Sequence, residues 1–198
     1  MKVLDLFCGK GGWSIPFIED GDDVTGVDIV DLGYPGKLIQ KDIRSLDGYG
    51  FRDYDFIVGS PPCNEFSTAK GVTHGVRDIE KGLELIREFN RFVNEAQPRL
   101  WVMESVRRTE KFYSIKPIWR FRMGSKAQRS LWGNLRIPLS PEFLFPNRIM
   151  ACGKVTRKGY AKKRGIKPLR GRDFAMIPYP IARFIADCVK KQLVEVAA

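Results

Sequence analysis

The chain has 198 residues, 43% of them hydrophobic and 29% charged, which predicts one soluble domain large enough to bury a full core. Its net charge is +11, and nine Lys and Arg residues fall between residues 154 and 172, where there is no acidic residue. The lack of a long apolar run, of a signal peptide and of clustered Cys or His residues argues against a membrane span, secretion and a zinc site. We therefore expect a cytoplasmic protein without a metal ion.

Short apolar runs alternate with helical patterns along the chain. Strands are predicted at residues 3–7, 23–28, 54–59, 100–103 and 130–132, and helices at residues 14–18, 79–94 and 181–194. Strands separated by helices predict an α/β fold, a mostly parallel sheet with helices on both faces. Residues 138–172 are rich in Pro, Gly and basic residues and are predicted to form a small loop-rich insertion.

A glycine-rich turn at residues 8–12 joins the first predicted strand to the first predicted helix. Backbone N–H groups in such a turn can approach a ligand closely. Asp28 ends the next strand, at a spacing that suits a ribose hydroxyl pair. Asp42 could accept from an exocyclic amine, and Ile43 could pack on a ring. This pattern predicts an adenosine-type cofactor, and the spacing does not choose between a dinucleotide and S-adenosylmethionine.

Cys63 follows the predicted strand 54–59, at the edge where open parallel sheets bind ligands. Pro61 and Pro62 precede it, and their fixed φ angles make a stiff loop that would hold a thiol in one place. Residues 64–67 are expected to continue as a solvent-facing loop. Cys63 is therefore the candidate nucleophile.

Glu104 directly follows the predicted strand 100–103, so a parallel sheet would put it at the same edge as Cys63. An acid beside a thiol nucleophile can protonate a ring nitrogen of the substrate and make the ring electrophilic. The two residues together predict covalent chemistry on a nitrogen heterocycle.

Four segments resemble motifs of the cytosine-5 DNA methyltransferase family: residues 5–14, residues 60–67, residues 104–106 and residues 172–189. They occur in the family's order and span nearly the whole chain. The resemblance implies a Rossmann-like class I methyltransferase fold. It also implies S-adenosylmethionine as cofactor and methyl transfer to carbon-5 of cytosine in DNA through a covalent Cys63 adduct.

The resemblance also implies a set of site residues. The catalytic residues would be Cys63, Glu104 and Arg129. The cofactor would contact Phe7, Cys8, Gly9, Gly11, Gly12, Trp13, Asp28, Ile29, Asp42, Ile43, Ser60 and Pro62. The nucleic acid would contact Asn64 and Ser67. The run of like charges, which favours a phosphate backbone nearby, adds Lys154, Arg157, Lys158, Lys162, Lys163 and Arg164 to the residues expected to bind nucleic acid.

The sequence departs from the family's pattern in several places. Ser105 stands where the family has Asn, and Ala175 replaces a late Asn near the cofactor. The family's arginine motif is not clear, because Arg129 is the preferred match while Arg120 and Arg122 compete with it. Only residues 138–172 could serve as a target-recognition domain, which predicts short or relaxed sequence specificity.

We divide the chain into a catalytic domain at residues 1–137, a reduced nucleic-acid-binding segment at 138–172 and a C-terminal helix at 173–198. The expected partner of this monomer is DNA, and tRNA is an alternative substrate. A catalytically inactive nucleic-acid-binding protein is the non-enzymatic alternative. Amino-methylating enzymes need no thiolate, so Cys63 argues against them.

Overall fold

A seven-stranded sheet organises the chain in the computed structural model, which describes residues 1–66, 76–123, 127–138 and 176–197. The strands are β1 Lys2–Leu6, β2 Asp23–Asp28, β3 Lys37–Gln40, β4 Phe56–Gly59, β5 Leu100–Val106, β6 Trp119–Met123 and β7 Ala127–Gly133. The helices are α1 Ile15–Glu19, α2 Ile79–Ala96 and α3 Tyr179–Ala197. The strand order is β3-β2-β1-β4-β5-β7-β6. Strand β7 pairs antiparallel with β5 and β6, and the other neighbouring strands pair in parallel. The predicted mostly parallel sheet is confirmed.

Helices cover both faces of the sheet. Val3 of β1 packs in the core layer that contains α1 and α3 residues, whereas Leu4 and Leu6 pack in the layer that contains α2 residues. This alternation follows from the two-residue period of a strand, which points neighbouring side chains to opposite faces. Because both faces are covered, the central strand β4 is apolar and buried along its whole length, as buried parallel strands are.

Two strands differ from the sequence prediction in ways that affect the site. Strand β5 extends to Val106, so Glu104 lies inside the strand rather than after it. Strand β6 was not predicted as an element, because its alternation of aromatic and arginine residues suits a short edge strand as well as a binding loop. Its pairing with β7 is a contact that the local sequence pattern does not reveal.

The three-part division of the chain remains a prediction. Apart from residue 138, the segment 138–172 lies outside the described residues. In the part of the chain that the structure describes, no helix has both the length and the hydropathy to cross a bilayer.

Candidate active site

A cleft runs along the carboxyl edge of β1, β2, β4 and β5. It consists of two adjoining cavities of about 200 Å³ and about 510 Å³, and both are lined by Phe7, Leu32 and Ser60. The smaller cavity lies against the glycine-rich turn and Ile177, which precedes α3. The larger cavity extends from Asp28 at the end of β2 to the Cys63 loop. The cleft is at the position where open parallel sheets bind ligands.

The turn after β1, which lines the smaller cavity, has an unusual backbone. Phe7, Gly9 and Gly11 have φ angles of 60°, 54° and 79°. For Phe7 a left-handed conformation costs about 1–3 kcal/mol, so surrounding contacts must hold it. Gly12 lies close to Ile177, which precedes α3. A Cβ added at Gly12 would be 3.0 Å from the backbone nitrogen of Ile177. The glycines therefore allow both the tight turn and this close contact.

Asp28 is fixed by two backbone donors. Its Oδ2 accepts from the Gly9 N–H at 3.0 Å, and its Oδ1 accepts from the Val30 N–H at 3.1 Å. The carboxylate lines the larger cavity beside Ile29, which is exposed, and Ile43, which is buried. This geometry leaves Asp28 oriented toward any molecule in the cleft.

Asp42 also lines the larger cavity, but its carboxylate is engaged by Arg44. The Arg44 backbone N–H donates to Asp42 Oδ1 at 2.9 Å and the guanidinium donates to Oδ2 at 2.6 Å. Hydrogen bonds from Arg44 lower the pKa of Asp42. Arg44 bonds Glu84 of α2 as well, at 2.8 Å. The sequence reasoning missed Arg44, although an arginine two residues after an acid is a signal for such a local pair.

A buried polar cluster supports the turn from beneath. Ser14 donates to Asp5 Oδ2 at 2.7 Å and shares a hydrogen bond of 2.7 Å with Tyr34. Burial raises the pKa of Asp5 to about 7. The Trp13 indole N–H donates to Ser60 Oγ at 3.0 Å, which ties the turn to the Cys63 loop. These contacts link the two ends of the cleft.

Three predicted residues meet in the larger cavity. Arg129 Nη1 is 3.4 Å from Cys63 Sγ and 3.3 Å from Glu104 Oε1. The side chains of Arg129 and Glu104 are only 12% and 5% exposed, so this ion pair is shielded from water. Among the described residues, neither Glu104 Oε1 nor Arg129 Nε has a hydrogen-bond partner. Buried polar atoms of this kind are costly unless a ligand satisfies them.

The charges around Cys63 oppose one another. Burial raises the pKa of the Cys63 thiol, Arg129 lowers it, and Glu104 raises it. Burial likewise raises the pKa of Glu104, while Arg129 and a hydrogen bond from Ser60 lower it. Cys63 is therefore mostly a thiol at neutral pH, and Arg129 is the nearby positive charge that favours its thiolate.

Cys8 also lines the cleft but is a poor candidate nucleophile. Its side chain is buried, and burial together with the negative charges of Asp5 and Asp28 strongly raises its pKa. A thiol in such surroundings is seldom ionised and reacts slowly.

The segment after Cys63 is not the solvent-facing loop that we expected. Phe66 is completely buried against α2, and Glu65 is buried as well. The Asp78 backbone N–H at the start of α2 donates to Glu65 Oε2 at 2.8 Å. The polar neighbours suggested exposure, but apolar contact and this hydrogen bond hold Phe66 and Glu65 against α2. Of residues 64–66, which the structure describes, only Asn64 is exposed, and it lines the cavity.

The positions that depart from the family's pattern have their own contacts. Ser105 is buried and shares a hydrogen bond of 2.9 Å with Thr109. Arg120, which competed with Arg129, instead binds both carboxylate oxygens of Glu110, at 2.9 Å and 3.0 Å. The structure thus brings Arg129, and not Arg120, to Cys63.

Several predicted site residues lie outside the described residues: Ser67, Lys154, Arg157, Lys158, Lys162, Lys163, Arg164 and Ala175. The remaining cofactor candidates, Pro62 included, line one or both cavities or, for Gly11, form the turn itself. In the described ranges there is no group of three or more His, Cys, Asp or Glu residues that could hold a metal ion.

Sequence comparisons with known proteins find a family model and relatives that match more than half of the chain. The family model of the C-5 cytosine-specific DNA methylase matches residues 1–115. The type II methyltransferase M.FnuDI of Fusobacterium nucleatum is 32% identical over 115 residues, covering 54% of this chain and 33% of that protein. M.AquIA of Picosynechococcus sp. is 32% identical over 123 residues, covering 54% of this chain and 48% of that protein. The chain thus spans half or less of the length of these relatives.

Two solved structures share the fold. A protein assigned as a DNA modification methyltransferase, encoded within an E. coli prophage, has a TM-score of 0.52 at 23% identity, covering 74% of this chain and 51% of its own. The Dnmt2 methyltransferase of S. pombe has a TM-score of 0.51 at 16% identity, covering 80% of this chain and 56% of its own. The likeness to these methyltransferases confirms the predicted class I methyltransferase fold.

Proposed function

Because the chain belongs to the C-5 cytosine-specific DNA methylase family, we propose that it transfers a methyl group from S-adenosylmethionine to carbon-5 of cytosine in DNA. Cys63 is the covalent nucleophile, with Glu104 and Arg129 around the target base. The observation that carries the proposal is the meeting of Cys63, Glu104 and Arg129 in the cavity that also contains Asp28.

The cleft fits the proposed cofactor. The two adjoining cavities supply room along the sheet edge, and Asp28 faces the larger one with both oxygens oriented by backbone donors. Asp28 would hold the ribose hydroxyls, and Ile29 and Ile43 would contact the adenine ring. The glycine-rich turn and Trp13 would bind the methionine portion. When bound, S-adenosylmethionine supplies an electrophilic methyl group on its sulfonium.

Cys63 and Glu104 have different roles in the reaction of the base. The Cys63 thiolate adds to carbon-6 of a cytosine that has been flipped out of the duplex, and the electron pair moves to carbon-5. Glu104, protonated when the base binds, donates that proton to ring nitrogen N3, which stabilises the developing negative charge, and Arg129 pairs with the carboxylate that this leaves. Its raised pKa suits this step, because a carboxyl group with a raised pKa retains a proton more readily near neutral pH.

Carbon-5 would take the methyl group that S-adenosylmethionine supplies. The methylated carbon-5 then loses its proton to water, and the electron pair of that bond expels Cys63 as thiolate. Ring nitrogen N3 returns its proton to Glu104, so both side chains regain their starting state. Arg129 favours the thiolate at both the attack and the expulsion step, because its guanidinium is 3.4 Å from the sulfur. Arg129 Nε has no hydrogen-bond partner among the described residues, and Glu104 Oε1 has only its ion pair with Arg129, so both atoms could bind polar atoms of the base.

Methyl transfer tests the proposal directly. Purified protein is incubated with tritium-labelled S-adenosylmethionine and either mixed-sequence duplex DNA or a tRNA pool. We expect label in the DNA, at carbon-5 of cytosine by bisulfite sequencing. Cys63→Ser should abolish turnover, whereas Cys188→Ser, which changes a buried cysteine in α3, should retain it.

Other outcomes of this experiment identify the alternatives. Label that enters tRNA but not DNA would replace the proposed substrate. No transfer to either nucleic acid, combined with no calorimetric binding of S-adenosylmethionine, would indicate a nucleic-acid-binding protein without this activity.

A further inference from the structure

A second basic region lies within the described residues, apart from the segment 154–172. Between residues 107 and 122 there are six Lys and Arg residues and one acid, Glu110. The region comprises the turn that follows β5 and the edge strand β6. Like charges so close in sequence repel one another unless an anion is bound nearby.

The sheet brings two of these arginines together beside the active site. Arg122 of β6 is paired in register with Gln128 of β7. Arg107 Nη1 donates to the side-chain oxygen of Gln128 at 2.8 Å. The next residue of β7 is Arg129, which contacts Cys63. Because neighbouring side chains of a strand point to opposite faces, the row Arg107, Gln128 and Arg122 lies at the same end of β7 as Arg129 but on the other face of the sheet.

The charges in this row are available to a ligand. Glu110 is occupied by Arg120, whose Nε and Nη2 bind its two oxygens, so Arg120 contributes no free charge. Arg107 and Arg122 are both exposed, and neither forms an ion pair with an acid in the described ranges. Guanidinium groups of this kind bind phosphate through two parallel N–H donors.

We propose that Arg107, Gln128 and Arg122 form a phosphate-binding surface that holds the backbone of duplex DNA next to the target base. This inference rests on the proposed function and assigns the described part of the chain a role in substrate binding. Contacts to phosphates position a duplex without reading its sequence. A duplex whose backbone is held by this row would stay at the sheet edge that carries Cys63 while the cytosine leaves the duplex.

The salt dependence of DNA binding tests the surface. The double variant Arg107→Gln with Arg122→Gln is compared with a control, Arg87→Gln with Lys191→Gln, which removes two exposed positive charges from α2 and α3. The slope of log K against log salt is negative, and each lost phosphate contact reduces its magnitude by about 1. In the first variant we expect the magnitude of this slope to fall by about 2 and KM for DNA to rise. Its kcat and its Kd for S-adenosylmethionine should be unchanged.

The control variant should keep the wild-type slope and KM. Equal slopes for the two double variants, with wild-type protein that binds and methylates duplex DNA, would overturn the surface and leave the proposed function standing. A wild-type protein that binds no duplex DNA would overturn both. A slope that changes with tRNA but not with duplex DNA would also overturn the surface.

Discussion

Arg129 is the residue on which the charge state of the site depends. It is almost fully buried, and it is within 3.4 Å of both Cys63 Sγ and Glu104 Oε1. Burial disfavours the ionised form of each partner, and the guanidinium partly offsets that effect. Removing one member of a buried ion pair is costly, because the other charge is left uncompensated. Arg129 therefore affects both the reactivity of the thiol and the stability of the fold.

The pH dependence of Cys63 alkylation by iodoacetamide measures this charge effect. Only the thiolate reacts, so the rate rises with pH through the pKa of Cys63. Because burial raises that pKa, the midpoint should lie above that of an ordinary thiol. Arg129→Gln should move the midpoint to still higher pH, since the charge that lowers the pKa is gone. Mass spectrometry of the Cys63 peptide separates this thiol from the other cysteines.

Arg120→Gln is the matched control, because Arg120 binds Glu110 rather than Cys63. Its alkylation profile should be that of the wild type. If both variants, or neither, moved the midpoint, the assignment of Arg129 to the thiol would be wrong.

At the scale of elements, the active-site loop depends on helix α2. Phe66 and Glu65 of the loop pack over Gly82 of that helix, and an added Cβ at Gly82 would lie 2.7 Å from Phe66 Cζ and 3.0 Å from Glu65 Cβ. The Phe66 ring is completely buried, so it has little space to move. The absence of a side chain at Gly82 therefore sets how closely the loop can approach the helix.

Gly82→Ala tests this dependence. Alanine favours a helix over glycine by about 1 kcal/mol, so a helix without this contact would be stabilised. Here we expect the free energy of unfolding to fall by about 1–3 kcal/mol in urea titrations, because the core beneath the loop is overpacked. The rate of Cys63 alkylation should change as well. Lys81→Ala, at an exposed position of the same helix, should change neither quantity appreciably. A stabilised Gly82→Ala protein would contradict the packing.

The sequence predicts best the features that depend on residues close together in the chain. The turn after β1 needs glycine because Gly9 and Gly11 have positive φ angles, and the parallel sheet brings the ends of β4 and β5 to one edge. The burial of Phe66 and the contact between Arg107 and Gln128 depend on residues distant in sequence. A pattern of neighbouring residues contains no information on such packing, and polar neighbours made residues 64–67 look exposed.

At the scale of the whole molecule, the chemistry and the recognition of DNA are separate problems. The family model matches residues 1–115, which contain Asp28, Cys63 and Glu104. Arg122 on β6 and Gln128 and Arg129 on β7 lie beyond the matched residues. The matched relatives are two or more times longer than the region that this chain shares with them. Phosphate contacts beside the site would supply affinity without reading the sequence of the duplex.

The covalent step is the central claim, and a duplex in which 5-fluorocytosine replaces cytosine tests it most directly. After methyl transfer such a base has no proton to lose at carbon-5, so the bond between Cys63 and carbon-6 cannot break by elimination. With S-adenosylmethionine present, we predict a protein–DNA species that survives denaturation, carries one added methyl group and maps to the Cys63 peptide. Cys63→Ser should form none. Methylation of ordinary DNA without any trapped species, or a trapped species at another residue, would contradict the assignment of Cys63.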